Sequence, residues 1–162
     1  MKKFTFLFAF LFIVSITSNL HAQWVQIPNG MFSLQTKVNC FITNGNNIFA
    51  GTDNPGGFYA SSNNGSNWSH YFSLIQTVHS FASNSNYMFM GYCDSGVYRS
   101  TNGGFFWLPT SIPQRNYFAI AANGNNIFAG TDNLYFSFYF SSNNGTTWIH
   151  SLFKHLFFSC KR

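Results

Sequence analysis

A unit of about 40 residues that occurs three times restricts the fold of this chain more than any other feature of its sequence. Each copy begins with an Asn-rich segment that leads into a Phe-x-Gly strand pattern, at residues 44–51, 84–91 and 123–130. An eight-residue block that ends in tryptophan follows each time, at residues 61–68, 100–107 and 141–148. Self-similarity at this period is typical of repeat architectures, in which every copy forms one supersecondary unit.

Each unit contains four short apolar runs separated by Asn, Gly and Ser, which in the first unit are residues 38–43, 48–52, 58–61 and 68–72. Short runs bounded by turn residues predict β-strands, and Asn-Gly pairs predict hairpins. Aromatic residues make up 21% of the chain and charged residues only 7%, which also favours strands. Four strands in about 40 residues are typical of one propeller blade. We therefore predict an all-β partial β-propeller with about three four-stranded antiparallel blades plus one N-terminal strand at residues 24–27.

The tryptophan-ending block resembles the Asp-box, or BNR repeat, of sialidases, sortilin-type receptors and photosystem assembly factors. The residues that carry the resemblance are Ser61, Asn63, Gly65 and Trp68, then Ser100, Asn102, Gly104 and Trp107, and finally Ser141, Asn143, Gly145 and Trp148. The resemblance implies a tight turn between the third and fourth strands of each blade. In such a turn glycine supplies an unusual backbone angle, the Asx side chain accepts nearby amides, and the tryptophan ring is buried. We expect the three rings to be buried alike.

All three boxes depart from the family pattern at the position of the aspartate. Asn63, Asn102 and Asn143 occupy this position. Asparagine retains the accepting carbonyl oxygen but lacks the charge, so the sequence predicts structural turns and no ion-binding role. We expect each asparagine to accept hydrogen bonds from backbone amides of its own turn.

The N-terminus has the three-part order of a secretory signal peptide. Two lysines precede an apolar stretch at residues 4–16 and a polar stretch that ends at Ala22. An uncleaved anchor is the alternative, although the apolar stretch is shorter than the roughly 20 residues that span a bilayer. We predict a signal peptide at 1–22 and a secreted product, periplasmic or extracellular, with no membrane contact after cleavage.

The predicted blades lie at about 38–77, 78–116 and 117–152 within a repeat region of 23–150. Residues 153–162 do not follow the repeat, and no fourth unit appears. We therefore expect the chain to be a fragment of a longer propeller. The outward faces of the first and third blades, including residues 136–140, are expected to expose apolar side chains and to promote self-association.

Charge argues against a nucleic-acid partner. The chain has a net charge of +5, but many of the basic residues lie at its termini. Between them only six charged side chains occur, and these balance: Lys37, Arg99, Arg115, Asp53, Asp94 and Asp132. A nucleic-acid surface gathers its cations on one face, whereas these are scattered.

The sequence also argues against catalysis. The resemblance to sialidases implies an arginine clamp, a tyrosine–glutamate pair and an aspartate acid, yet this chain contains no glutamate. Glycoside hydrolysis usually needs two carboxylates, and the only candidates are Asp53, Asp94 and Asp132. A catalytic residue should break the repeat symmetry, whereas Asp53 and Asp132 occupy the same repeat position, as turn residues do. We predict no enzyme activity and no cofactor.

Histidine and cysteine show no metal-ligand spacing, so no metal site is predicted. His70 and His150 each follow a box tryptophan by two residues, while His79 aligns with Asn39 and Phe118. The three cysteines are Cys40, Cys93 and Cys160, an odd number for an exported chain. Cys40 aligns with Ser80 and Ala119, which predicts a position for small side chains near the propeller axis.

The sequence therefore favours a non-catalytic module with a binding or scaffold role, whose ligand is a glycan or a protein. Aromatic richness and the loops at one end of the blades motivate this hypothesis. The alternative is a degenerate sialidase-like glycoside hydrolase relic without activity.

Overall fold

The computed structural model describes residues 37–53, 57–71, 76–132 and 138–150. The predicted signal peptide, the strand at 24–27, the tail at 153–162 and Cys160 lie outside the described residues. The described strands are β1 Val38–Asn44, β2 Asn47–Thr52, β3 Phe58–Ser61, β4 Ser69–Tyr71, β5 Val78–Ser83, β6 Met88–Tyr92, β7 Gly96–Ser100, β8 Leu108–Pro109, β9 Tyr117–Asn123, β10 Asn126–Thr131, β11 Phe138–Ser141 and β12 Ile149–His150.

These strands form three four-stranded antiparallel sheets, each with its strands in chain order. We refer to β1–β4, β5–β8 and β9–β12 as blades 1, 2 and 3. The predicted fold class, a partial propeller of three four-stranded blades, is confirmed. The exact domain limits remain predictions.

Asn-Gly turns set the register of two innermost hairpins. Asn44 pairs with Asn47 across the first turn, and Asn123 pairs with Asn126 across the equivalent turn in blade 3. Gly45 and Gly124 occupy these turns with φ of 59° and 57°. A two-residue hairpin of this kind needs positive φ, which glycine adopts without steric strain.

The hydrophobic core lies between the blades. One cluster joins Phe49 and Phe58 of blade 1 to Met90 and Trp107 of blade 2, among other residues. A second cluster repeats this arrangement between blades 2 and 3. Each fully buried side chain of this size contributes about 1.5–3 kcal/mol, so the contacts between blades stabilise the fold substantially.

The innermost strands approach one another closely at the small-residue position predicted from the repeat. Cys40 pairs with Gly51, and Ser80 pairs with Gly91. A Cβ atom at Gly51 would lie 2.6 Å from Cys40 Sγ, so the pair leaves no space for larger side chains. Cys40 is a free, half-buried thiol, and burial raises its pKa to about 11.

The outward faces of blades 1 and 3 combine buried, partly buried and exposed apolar side chains. Ala50 and Tyr59 of blade 1 are buried. In blade 3, Phe128 packs against Phe138 and Phe140 at ring distances of 5.9 and 5.2 Å, and the three rings are partly buried. On the same faces Phe41, the partner of Ala50, is 60% exposed, and Ile149, the partner of Phe140, is 66% exposed, so the predicted exposure of apolar side chains is confirmed at these two positions. Phe136 lies outside the described residues, and self-association remains a prediction.

Candidate functional site

The Ser-Asn-Gly-Trp blocks form three closely similar turns, which we call the box turns. In the first, the Ser61 hydroxyl accepts from the amide of Gly65 at 2.9 Å and donates to Asn63 Oδ1 at 3.0 Å. Asn63 Oδ1 also accepts from the amide of Asn67 at 2.8 Å. Asn102 and Asn143 accept equivalent amide bonds at 2.8 and 2.9 Å. The prediction that these asparagines bond within their own turns is confirmed.

Replacing Asn102 with alanine should lower the free energy of unfolding by about 1 kcal/mol, because the amide of Phe106 loses its acceptor. Asn102→Asp keeps that acceptor and serves as the control, with little expected loss. Urea denaturation of both variants measures the difference. Equal destabilisation by alanine and aspartate would contradict the assigned hydrogen bond.

The box tryptophans are not buried alike, so that expectation is wrong. Trp107 is only 9% exposed and its Nε1 donates to the carbonyl of Gly104 at 2.8 Å. Trp148 and Trp68 are half-buried. Trp107 is a buried member of the core cluster between blades 1 and 2, whereas Trp148 packs only at the edge of the cluster between blades 2 and 3. Trp68 belongs to the first described blade and packs against Phe41, which is itself 60% exposed.

The end of the blades that carries the box turns, here called the turn end, is held together by hydrogen bonds between blades. The Arg99 guanidinium donates to the carbonyl of Asn144 at 2.7 Å. Asn84 Nδ2 donates to the carbonyl of Gly124, also at 2.7 Å. These polar groups therefore stabilise the packing of blade 2 against blade 3.

The opposite end, here called the loop end, carries the connections between the second and third strands of each blade. At this end each innermost strand contains a β-bulge at the same repeat position, because its register shifts between the first and third residues of the strand. The extra residues are Asn39, His79 and Phe118, and we call them the bulge row. Bulges occur often beside functional sites, where they reorient a side chain.

Two aromatic rings of the bulge row are in contact. The centroids of His79 and Phe118 lie 4.3 Å apart, and the Phe118 side chain is 46% exposed. Asn39 is half-buried and its Nδ2 donates to Asp53 Oδ1 at 2.6 Å and to the carbonyl of Val78 at 3.2 Å. The bulge row therefore combines a partly open aromatic surface with a fixed amide.

Carboxylates from all three blades act on the histidine of this row. Burial lowers the pKa of His79, and the charges of Asp53, Asp132 and Asp94 oppose that shift, whereas Lys37 adds to it. Lys37 Nζ lies 3.8 Å from Asp53 Oδ2. Asp53, Asp94 and Asp132 each follow the second strand of a blade and so lie at the loop end, together with the basic residues Lys37 and Arg115.

The bulge row was visible in the sequence only as an alignment of three unlike residues. The next aligned position, by contrast, holds a small side chain in all three repeats: Cys40, Ser80 and Ala119. A residue that serves the fold recurs in every blade, whereas one that serves a single ligand does not have to. By that criterion the bulge row is the candidate binding site. The bulges themselves have no sequence signature, so their role could not be predicted.

The other predicted residues lie elsewhere. His70 lies in β4, where its ring stacks on Tyr59 at 4.5 Å, and His150 lies in β12. Within the described ranges no three His, Cys, Asp or Glu side chains are grouped so that they could hold a metal ion. The same residues include no helix long and apolar enough to cross a membrane.

Acidification should destabilise the fold through His79. Its pKa lies below the ordinary 6.5, so the unfolded chain binds more protons once the pH falls through that value. The free energy of unfolding should therefore decrease as the pH falls below about 6.5, and His79→Asn should reduce that decrease. Asparagine is the chosen replacement because Asn39 occupies the equivalent bulge in blade 1, so the fold should accept it. Urea denaturation between pH 7.5 and 5 tests this, and an unchanged slope in the variant would contradict it.

No known sequence family and no curated protein matches this chain. Solved structures do resemble it. YCF48 from Cyanidioschyzon merolae superposes with a TM-score of 0.59 at 13% identity, over 71% of this chain and 37% of that protein. An ancestral GH74 enzyme gives a TM-score of 0.62 at 23% identity, over 80% of this chain and 19% of the enzyme.

A structure of YCF48 bound to D1 peptide gives a TM-score of 0.50 at 14% identity, over 63% of this chain and 36% of that protein. The chain therefore spans well under half the length of these three propeller structures. At such identities the likeness shows a shared β-propeller fold.

Proposed function

We propose that this chain is a non-catalytic, secreted propeller module of the BNR/Asp-box type that binds a ligand at its loop end. The observation that carries the proposal is the bulge row, where Phe118 remains 46% exposed against His79. A large ring held half in solvent by a bulge retains apolar surface that a ligand can cover. The three box turns support the BNR/Asp-box assignment through their shared hydrogen bonds.

The surroundings of the carboxylates support a non-catalytic role. Asp53 accepts from Asn39 and lies near Lys37, so it is engaged in local contacts. Asp94 has a positive φ of 52° in the connection after β6, and its backbone amide donates to Asn116 Oδ1. Acid–base catalysis of glycoside hydrolysis needs two carboxyl groups placed on either side of one bond. Secretion follows from the predicted signal peptide.

Binding can be tested with glycan and peptide arrays, using the purified full chain. We expect saturable binding to at least one ligand, which Phe118→Ser abolishes. Phe106→Ser is the matched control, because Phe106 is a 61% exposed phenylalanine in a box turn at the opposite end. Absence of any saturable ligand, or equal loss in both variants, would overturn the assigned surface.

The non-catalytic part of the proposal has its own test. Fluorogenic sialosides and glucosides incubated with the purified chain should show no turnover above that of buffer. Turnover that disappears in an Asp53→Asn, Asp94→Asn, Asp132→Asn triple variant would show that the chain is an active hydrolase.

A further inference from the structure

A groove at the turn end lies between blades 1 and 2, and we call it the turn-end groove. One wall consists of β3, β4 and the first box turn, and Phe105 of the second box turn forms the other wall. The volume of the groove is about 120 Å³. Every lining side chain that the structure describes is uncharged.

The equivalent space between blades 2 and 3 is filled by an arginine. Ala60 and Arg99 occupy the same repeat position, each directly opposite the phenylalanine of the Phe-x-Gly strand. The guanidinium carbon of Arg99 lies 4.9 Å from the ring centre of Tyr87, and its Nη1 lies 3.5 Å from Thr146 Oγ1. Because Ala60 has no atoms beyond Cβ, the groove beside blade 1 remains open.

Phe105 is a second departure from the repeat at the same groove. The first and third box turns carry Ser66 and Thr146 at its position. The Phe105 ring packs edge-on against the fully buried Phe49 at a centroid distance of 6.2 Å, yet it remains 50% exposed. A residue that serves only the fold is expected to recur in every blade. The groove therefore has the features of a binding site that one pair of blades carries.

The groove combines aromatic surface with uncharged hydrogen-bonding groups. Tyr71 and Phe105 contribute rings, Asn47 and Asn67 contribute carboxamides, and Ser69 contributes a hydroxyl. A carboxamide both donates and accepts hydrogen bonds. A pyranose ring carries C–H groups on its faces and hydroxyls around its rim. It can therefore lie against an aromatic ring while its rim pairs with carboxamides.

Other ligands fit the groove less well. A charged ligand would lose hydration without meeting a countercharge. A purely apolar ligand would cover the carboxamides and leave them unpaired. The volume is well below the roughly 300–1,000 Å³ of pockets for drug-sized molecules, so the groove suits a single ring.

We propose that the turn-end groove binds one neutral sugar residue of a glycan, with the sugar ring against Phe105 and its hydroxyls bonded to Asn47 and Asn67. This site is separate from the bulge row and does not depend on the function proposed there. Binding of a single sugar is weak, with a dissociation constant on the order of millimolar, because little surface is buried.

The test is nuclear magnetic resonance titration of the full chain with three methyl glycosides: β-D-glucopyranoside, β-D-galactopyranoside and α-D-mannopyranoside. At least one should give saturable shifts at residues 61–71 and at Phe105. Sorbitol is the matched control, because it carries the hydroxyls without the ring, and it should give no saturable shift there. Absence of saturation with all three glycosides, or equal shifts with sorbitol, would overturn the inference.

Two variants locate the contact. Ala60→Arg should fill the groove as Arg99 fills its equivalent, and should weaken the glycoside at least about tenfold. Phe105→Ser should also weaken it, and its turn should form because Ser66 holds this position in the first box turn. Phe106→Ser is the control, since Phe106 is 61% exposed but does not line the groove. Binding retained in a folded Ala60→Arg variant, or equal loss in the two phenylalanine variants, would contradict the site.

Phe118→Ser separates this inference from the proposed function. It should leave glycoside binding unchanged, because Phe118 lies at the opposite end of the blades. If Phe118→Ser abolishes glycoside binding, the sugar binds at the loop end and the turn-end site is wrong. If an array ligand depends on Phe118 while no glycoside saturates, the loop-end function stands and this inference is wrong.

Discussion

Replacing Trp107 with alanine should lower the free energy of unfolding by about 3–5 kcal/mol, the range for a large aromatic side chain removed from a packed core. Its ring contacts Phe58 of blade 1 and Phe81 of its own blade at centroid distances of about 6.1 Å, and its Nε1 is hydrogen bonded to Gly104. The substitution therefore opens a cavity in the core that joins two blades and leaves a buried carbonyl without its donor.

Trp68→Ala is the matched control, since it removes the same side chain from the same turn motif. Trp68 packs on the exposed Phe41, so we expect a loss on the order of 1 kcal/mol, and an intermediate loss for Trp148→Ala. Denaturant unfolding monitored by circular dichroism measures all three. Equal losses would show that the box turn, and not the interface between blades, determines the contribution of the ring.

Gly91→Ala should destabilise the chain by about 1–3 kcal/mol or more, because an added methyl group has no space. The new Cβ would collide with the backbone carbonyl oxygen of Tyr117 in blade 3 and would lie 2.7 Å from Ser80 Oγ. The position has no positive φ in the structure, so the expected loss reflects steric conflict and not backbone strain. Thermal unfolding compared with the wild-type chain measures it.

Gly51 supplies the control for this prediction. A Cβ atom there would meet the side chains of Cys40 and Val78, each at 2.6 Å, instead of a main-chain atom. Gly51→Ala should therefore cost less stability in a Cys40→Ala, Val78→Ala background than in the wild-type chain, because the two truncated side chains leave room for the methyl group. Gly91→Ala should not be recovered by Ser80→Ala, because the carbonyl of Tyr117 remains. Recovery in both cases would indicate that the blades can move apart.

The strands were predictable because their signals are local. Runs bounded by Asn and Gly in the first unit predicted four strands, and β1 to β4 lie within one or two residues of those limits. The hydrogen bonds of Asn63 and its two equivalents were predictable for the same reason, since donor, acceptor and turn glycine all lie within five residues of sequence. Such features need no partner from another blade.

Burial was less predictable because it depends on which blade lies alongside. Trp68, Trp107 and Trp148 have the same local sequence context, yet only Trp107 is almost fully buried. The closeness of Gly91 to Tyr117 likewise joins residues of different blades. The repeat period in the sequence carries no information about the distance between two packed blades.

The sequence by itself determined the all-β class, the three units and the turns that close them, because periodicity and turn chemistry act within each unit. The tertiary structure alone decided that Asn39, His79 and Phe118 are bulged residues at one end of the blades and that the rings of His79 and Phe118 are in contact there. The reason is physical: a bulge is a mismatch between two paired strands of one blade, and the contact between the two rings joins different blades. The bulges form only when the strands of a blade pair, and the ring contact forms only when two blades pack together.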